Sequence, residues 1–164
     1  MEQAGVVRRR VLPRPDGSVI YELTEYGAEL EAVVVHLGRW GAKSLGEPRR
    51  EESVTADSLV MALRTIFHPE ATRGMKVGYE LRVGDTIIHA RVHTKKVDVA
   101  KGPLPSADLV IEAGPTIKSL LAHEVSPADA IKNGSVRVKG DPDLLKRFAE
   151  IFYIEPKPQV ISTT

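Results

Sequence analysis

The sequence contains no cysteine, which removes disulfides, thiolate metal sites and a cysteine nucleophile together and leaves a reducing compartment open to the protein. Long apolar runs are missing too. Stretches such as Ala32 to Val35 and Thr86 to Ala90 fall far short of the roughly 20 residues that cross a bilayer. Three consecutive arginines, Arg8, Arg9 and Arg10, lie near the start with no apolar segment after them. They are therefore not read as a secretory signal, and a cytoplasmic protein is expected. Runs that cradle phosphates or activate a serine, G-x-G-x-x-G, the Walker loop and G-x-S-x-G, are absent as well. Glu51-Glu52 and Asp141/Asp143 are acid pairs only in sequence, and capping of a helix start accounts for the second. An enzyme, and with it a cofactor, is not expected.

The histidines offer no metal site. His89 and His93 are four apart, but the segment alternates like a strand, where four residues span about 13 Å and cannot share one ion. His36, His68 and His123 are isolated and read as surface or cap residues. What is present is ordinary for a soluble globular chain, 42% hydrophobic and 27% charged, enough for one full domain and a smaller piece. Net charge is only +1, yet Arg8, Arg9, Arg10 and Arg14 fall between Gly5 and Arg14 without an acid. Such a patch suits phosphates; the alternative is a solvated strand edge whose charges block pairing.

Valines 6, 7 and 11 with Leu12, and then Val19 to Leu23, read as two strands around Pro13-Arg-Pro-Asp-Gly-Ser18, a β-hairpin with a basic tip. Thr24 caps a helix expected to run about four turns to Gly41. Leu30, Val33, Val34, Leu37 and Trp40 form one apolar stripe along it. A hairpin and one helix bury too little surface to fold alone, so something must cover that stripe. Residues 47–54 read as a linker.

Thr55 opens a second helix, with Pro69 as its stop. The period then changes to two: Val77, Tyr79, Leu81 and Val83 alternate with polar residues, Gly84-Asp85 turns the chain, and Ile88, Ala90 and Val92 continue on a returning strand. Strands at Val97 to Val99 and Leu109 to Ile111 follow. Two short helices, Thr116 to Ala122 and Pro127 to Lys132, precede a last strand at Val136 and Val138. A final helix runs Asp141 to Phe152, with Asp141 as cap and Pro142 in its first turn. Short turns between consecutive strands imply an antiparallel sheet with helices on one face, an α+β layer.

Two stretches carry resemblances. Glu2-Gln-Ala-Gly-Val-Val-Arg-Arg, Tyr21-Glu-Leu-Thr-Glu-Tyr-Gly27 and Leu37-Gly-Arg-Trp-Gly41 resemble the wing and final helix of HxlR-family winged-helix transcription regulators. The resemblance implies that residues 1–46 are the C-terminal part of such a domain. It makes Arg8, Arg9, Arg10 and Arg14 DNA-backbone contacts on the wing, and Leu30, Val33, Val34, Leu37 and Trp40 a homodimer interface. The family's helix-turn-helix would lie before Met1. This segment is thus expected to touch phosphate rather than read bases, with operator binding only if that upstream element is present.

Ala107-Asp-Leu-Val-Ile-Glu-Ala-Gly114, Ser126-Pro-Ala-Asp-Ala-Ile-Lys-Asn-Gly134, Val136-Arg-Val-Lys-Gly-Asp-Pro142 and Leu144-Leu-Lys-Arg-Phe148 resemble a sterol carrier protein type 2 domain. A glycine frequent in that family before the motif is replaced by Ala122-His-Glu-Val-Ser126. The resemblance covers residues 55–155, leaving 156–164 as a tail, and implies an α/β sandwich enclosing a tunnel for lipids or other hydrophobic small molecules. Val60, Leu63, Phe67, Ile117, Leu120, Leu121, Ile131, Phe148 and Phe152 would line it, although apolar residues at such spacing are more often plain core. Tyr79, His89, Arg91 and His93 are candidate polar contacts. The leading expectation is a regulator responsive to a hydrophobic effector. The alternatives are a stand-alone lipid carrier with an N-terminal dimerisation arm, and a closed interaction module without a cavity.

Overall fold

The computed structural model describes residues 1–13, 15, 17–42, 55–114 and 117–156. The chain divides into two compact units, residues 1–38 and 39–164. The linker expected at 47–54 and nearly all of the tail lie outside the described residues.

In the first unit, β1 (Val7–Val11) pairs antiparallel with β2 (Val19–Leu23), placing Arg8 opposite Glu22 and Arg9 opposite Tyr21. The Thr24 side chain accepts the Gly27 N–H at 3.0 Å and so caps α1 (Glu25–Ala28); α2 (Leu30–Ala42) follows and runs across the boundary between the units. The single long helix expected from Thr24 to Gly41 is therefore interrupted at Glu29, which keeps helical dihedrals, φ −61° and ψ −25°. Gly27 is buried because α1 rests on the start of the hairpin: a Cβ there would stand 1.9 Å from the Val6 carbonyl oxygen.

The second unit opens with α3 (Ala56–Thr65). Thr55 and Ser58 cap it reciprocally, each side chain accepting the other's backbone N–H at 3.2 and 3.1 Å. The helix ends at Thr65, before Pro69, and a 3-10 turn spans Pro69–Thr72. Strands β3 (Lys76–Val83), β4 (Thr86–His93), β5 (Lys96–Lys101), β6 (Leu109–Ala113) and β7 (Val136–Gly140) form one sheet in the order β5-β4-β3-β6-β7.

The sheet departs from the wholly antiparallel arrangement expected, because β6 adds to the free edge of β3 and runs parallel to it. The connection that makes this possible is pinned to β3 twice. Leu104 N–H donates to the buried Glu80 carboxylate at 2.8 Å, and Asp108 accepts the Gly78 N–H at 2.7 Å.

Helices α4 (Ile117–Leu121), α5 (Pro127–Lys132) and α6 (Asp143–Ile151) complete the unit. Pro142, not Asp141, occupies the cap position of α6; the Asp141 carboxylate still accepts the Asp143 N–H at 2.9 Å. Alternation along the strands turns Tyr79, Leu81, Val83, Ile88, Ala90, Val92, Leu109, Ile111 and Val136 into one core with Leu145, Phe148, Ile151 and Phe152. A face buried at every second position is what sheet pleating dictates once helices cover one side.

Candidate functional site

On the hairpin, the arginines do not stand as a uniform basic patch. Arg8 Nε and Arg10 Nη1 both bond the Glu22 carboxylate, at 3.1 and 3.0 Å. The Arg10 bond first, then Arg8, holds the Glu22 carboxyl below its ordinary range. These three share one face of the ribbon with one surplus positive charge. Arg9, exposed on the other face beside Tyr21, makes no ion pair among the described residues. Arg14 lies outside the described residues. Glu22 escaped notice because its neighbours depend on hairpin register, which a loop of this length does not specify.

The α2 stripe is uncovered. Leu30, Val33, Val34, Leu37 and Trp40 are all exposed, Trp40 at 70% and Leu37 at 64%. Tyr21, Leu23 and Tyr26 are exposed in the same unit.

In the second unit, most residues expected to line a tunnel sit in the closed core. Phe148 and Phe152 have no accessible surface, Leu120 keeps 1% and Leu63 2%. Phe67, Ile117 and Leu121 are also buried, and Val60 is half-buried against the same cluster. Ile131 stands apart from the set: it is exposed on α5. Phe148 packs 4.8 Å from Phe152 and 5.1 Å edge-on from Tyr79, and Phe67 lies 5.7 Å from Phe152. Within this aromatic cluster the Tyr79 hydroxyl is buried and has no hydrogen-bond partner among the described residues. Burial pushes the phenol well above its ordinary value.

The other polar candidates lie on the opposite face of the sheet. His89 is buried there by the β5–β6 connection, its Nδ1 lying 3.0 Å from the Gly102 carbonyl; Arg91 and His93 are exposed. His68, expected as a surface or cap residue, occupies the N-cap position of the Pro69–Thr72 turn, without a side-chain capping bond, and is buried. Its ring stacks on Tyr153 at 3.6 Å, Nδ1 faces Glu70 at 3.2 Å and Nε2 faces the Tyr153 carbonyl at 3.1 Å. Isolation in sequence concealed it, because its partner Tyr153 is brought in from the far end of the unit. His123 is exposed, with Nε2 2.9 Å from the Ala149 carbonyl. Among the described residues, no three histidines or acids gather to hold a metal ion.

A second feature could not be seen without strand register. Arg82, Glu112 and Arg137 sit side by side across β3, β6 and β7. With Ser135 and Gly84, Gly114 and Gly134 they line a polar cleft of about 380 Å³. Glu112 is held ionised chiefly by Lys139 at 2.8 Å. Arg82 donates to Glu80 at 2.7 Å and forms a looser ion pair with Glu112 at 3.6 Å. The charged lining, Arg82 and Arg137 against Glu112, carries one surplus positive charge. No described helix is long and apolar enough to cross a membrane.

Residues 1–49 match the HxlR-like helix-turn-helix family. An uncharacterized HTH-type transcriptional regulator of Bacillus subtilis (strain 168), YdeP, is 42% identical over 43 residues, 26% of this chain and 34% of its own length. The chain therefore spans about a third of that relative.

Among solved structures, the inverting sec-alkylsulfatase Pisa1 from a Pseudomonas species aligns with a TM-score of 0.55 at 21% identity, over 65% of this chain and 18% of the sulfatase. At that identity the likeness concerns the fold. A sterol carrier protein 2 from Yarrowia lipolytica aligns with a TM-score of 0.43 at 14% identity, over 58% of this chain and 88% of its own. Residues 1–49 are thus similar to the HxlR-like helix-turn-helix family, and the chain continues into an α+β unit built on a mostly antiparallel sheet.

Proposed function

We propose that the chain is part of a homodimeric transcription regulator whose C-terminal unit binds a hydrophobic small molecule or lipid and acts by binding, not catalysis. The observation that carries this reading is the uncovered stripe on α2 within a segment that matches the HxlR-like family. Five apolar side chains at helical spacing are stable in water only if another apolar surface meets them. A second copy of α2 supplies the same stripe, as a two-fold interface requires. Arg9 and the Arg8/Arg10 face of the hairpin are the phosphate contacts.

The second unit supports the effector half through its sequence resemblance to sterol carrier domains and its largely apolar interior, in which Phe67, Tyr79, Phe148 and Phe152 are buried. That interior is closed in the conformation described, so a ligand is admitted by helices parting from the sheet, a minor state made dominant by binding. Coupling to the hairpin then requires that the ligand favour one dimer geometry over another.

Sedimentation tests the dimer: the full chain is expected to be dimeric and Leu37→Asp monomeric. A Leu37→Asp protein that stays dimeric removes α2 from the interface. Titration with the neutral apolar dye N-phenyl-1-naphthylamine tests the effector half, and absence of any binding removes it.

A further inference from the structure

The buried Tyr79 hydroxyl is the one side-chain polar atom in the described residues that is both sealed from solvent and without a partner. Tyr79 itself is 1% exposed, so no water reaches it. A phenylalanine would fill the same space without the desolvation penalty of an unmatched donor. Nearby, Arg147 is also under-used: its Nε and Nη2 face only the Met75 sulfur, at 3.4 and 3.3 Å, a weak acceptor. Its remaining bond is to Glu150.

We propose that the Tyr79 hydroxyl is the polar anchor of this apolar interior, selecting ligands that carry an uncharged hydrogen-bond acceptor, such as a ketone or ester oxygen, over those ending in a carboxylate. The inference rests on the reading that the unit admits an apolar ligand. Surroundings decide the charge preference. The charges that act on the phenol are one cation, Arg147, and two carboxylates, Asp108 and Glu150, and Arg147 is already paired with Glu150. A carboxylate brought into this site would leave water for a region whose one cation, Arg147, already has Glu150 as its ionic partner and where Asp108 adds a second negative charge. A neutral carbonyl meets no such penalty and satisfies the orphaned donor. The aromatic walls from Phe148 and Phe152 accept the rest of the molecule.

The test is displacement of N-phenyl-1-naphthylamine from the full chain at pH 8 by 2-decanone, decanoate and decane, in wild type and Tyr79→Phe. Leu37→Asp serves as a control, so that dye held on the α2 stripe is not counted as interior binding. Wild type is expected to bind 2-decanone more tightly than either decane or decanoate. Tyr79→Phe is expected to weaken 2-decanone by roughly tenfold, the value of one buried hydrogen bond, to leave decane unchanged, and to melt no lower than wild type. An unchanged ratio of 2-decanone to decane in Tyr79→Phe overturns the proposal, as does decanoate binding as tightly as the ketone. A lower melting temperature in Tyr79→Phe also overturns it, since the hydroxyl would then serve the protein itself. Failure of every probe to enter wild type sinks the effector reading, and this inference with it.

Discussion

Replacing Gly27 by alanine sets two effects against each other, and the structure says which wins. In an open helix the change is favourable by roughly 1 kcal/mol, because alanine loses less backbone freedom on folding. Here the added Cβ meets the Val6 carbonyl oxygen at 1.9 Å and its carbon at 2.9 Å. Both belong to backbone, so α1 must retreat from the hairpin by about 1 Å or more to reach ordinary contact.

That retreat breaks the contacts that seat α1. Thr24 N–H donates to the Val6 carbonyl at 3.1 Å, Gly27 N–H donates to the Thr24 hydroxyl at 3.0 Å, and the Thr24 hydroxyl donates to Gly5. At about 1 kcal/mol each, their loss outweighs the propensity gain by roughly 2 kcal/mol. Amide hydrogen exchange reads this locally, and protection at Thr24 and Gly27 is expected to fall by about thirtyfold. Protection equal to or greater than wild type would refute the packing argument and leave helix propensity in control.

Three further outcomes follow from the same contacts. Glu22→Gln frees Arg8 and Arg10, so binding to duplex DNA at low salt is expected to strengthen, and the slope of log affinity against log salt to steepen by about 0.9 for each added phosphate contact; unchanged binding would show that these arginines do not face DNA. The sign of the pH effect follows from Glu22 titrating below its ordinary 4.5 in the folded chain. Its bonds to the arginines hold the hairpin above that value and are lost as pH falls through the lowered one, so NMR shifts of Arg8 and Arg10 side chains should move as the pH is taken below 4.5. In the second unit, Glu80→Ala strands the buried Leu104 N–H and is expected to cost about 2 kcal/mol in urea unfolding, whereas Glu80→Gln, which keeps an acceptor, costs less; equal losses would mean the charge pair with Arg82 dominates.

Local patterns were legible because they depend on neighbours in the chain. The period-two runs from Val77 to Val83 and Ile88 to Val92 identify strands, the Thr24 and Thr55 caps identify helix starts, and the spacing of Leu30, Val33, Val34, Leu37 and Trp40 identifies the stripe that the structure leaves exposed. Contacts between distant segments were decided only by tertiary structure. The parallel β3–β6 pair, Glu22 between two arginines, buried His68 under Tyr153 and the unmatched Tyr79 hydroxyl all depend on which strand edge is free and which register the core selects. Spacing along a chain determines which side of an element a residue takes, but what it meets there is settled by packing a whole sheet and its helices around one apolar interior.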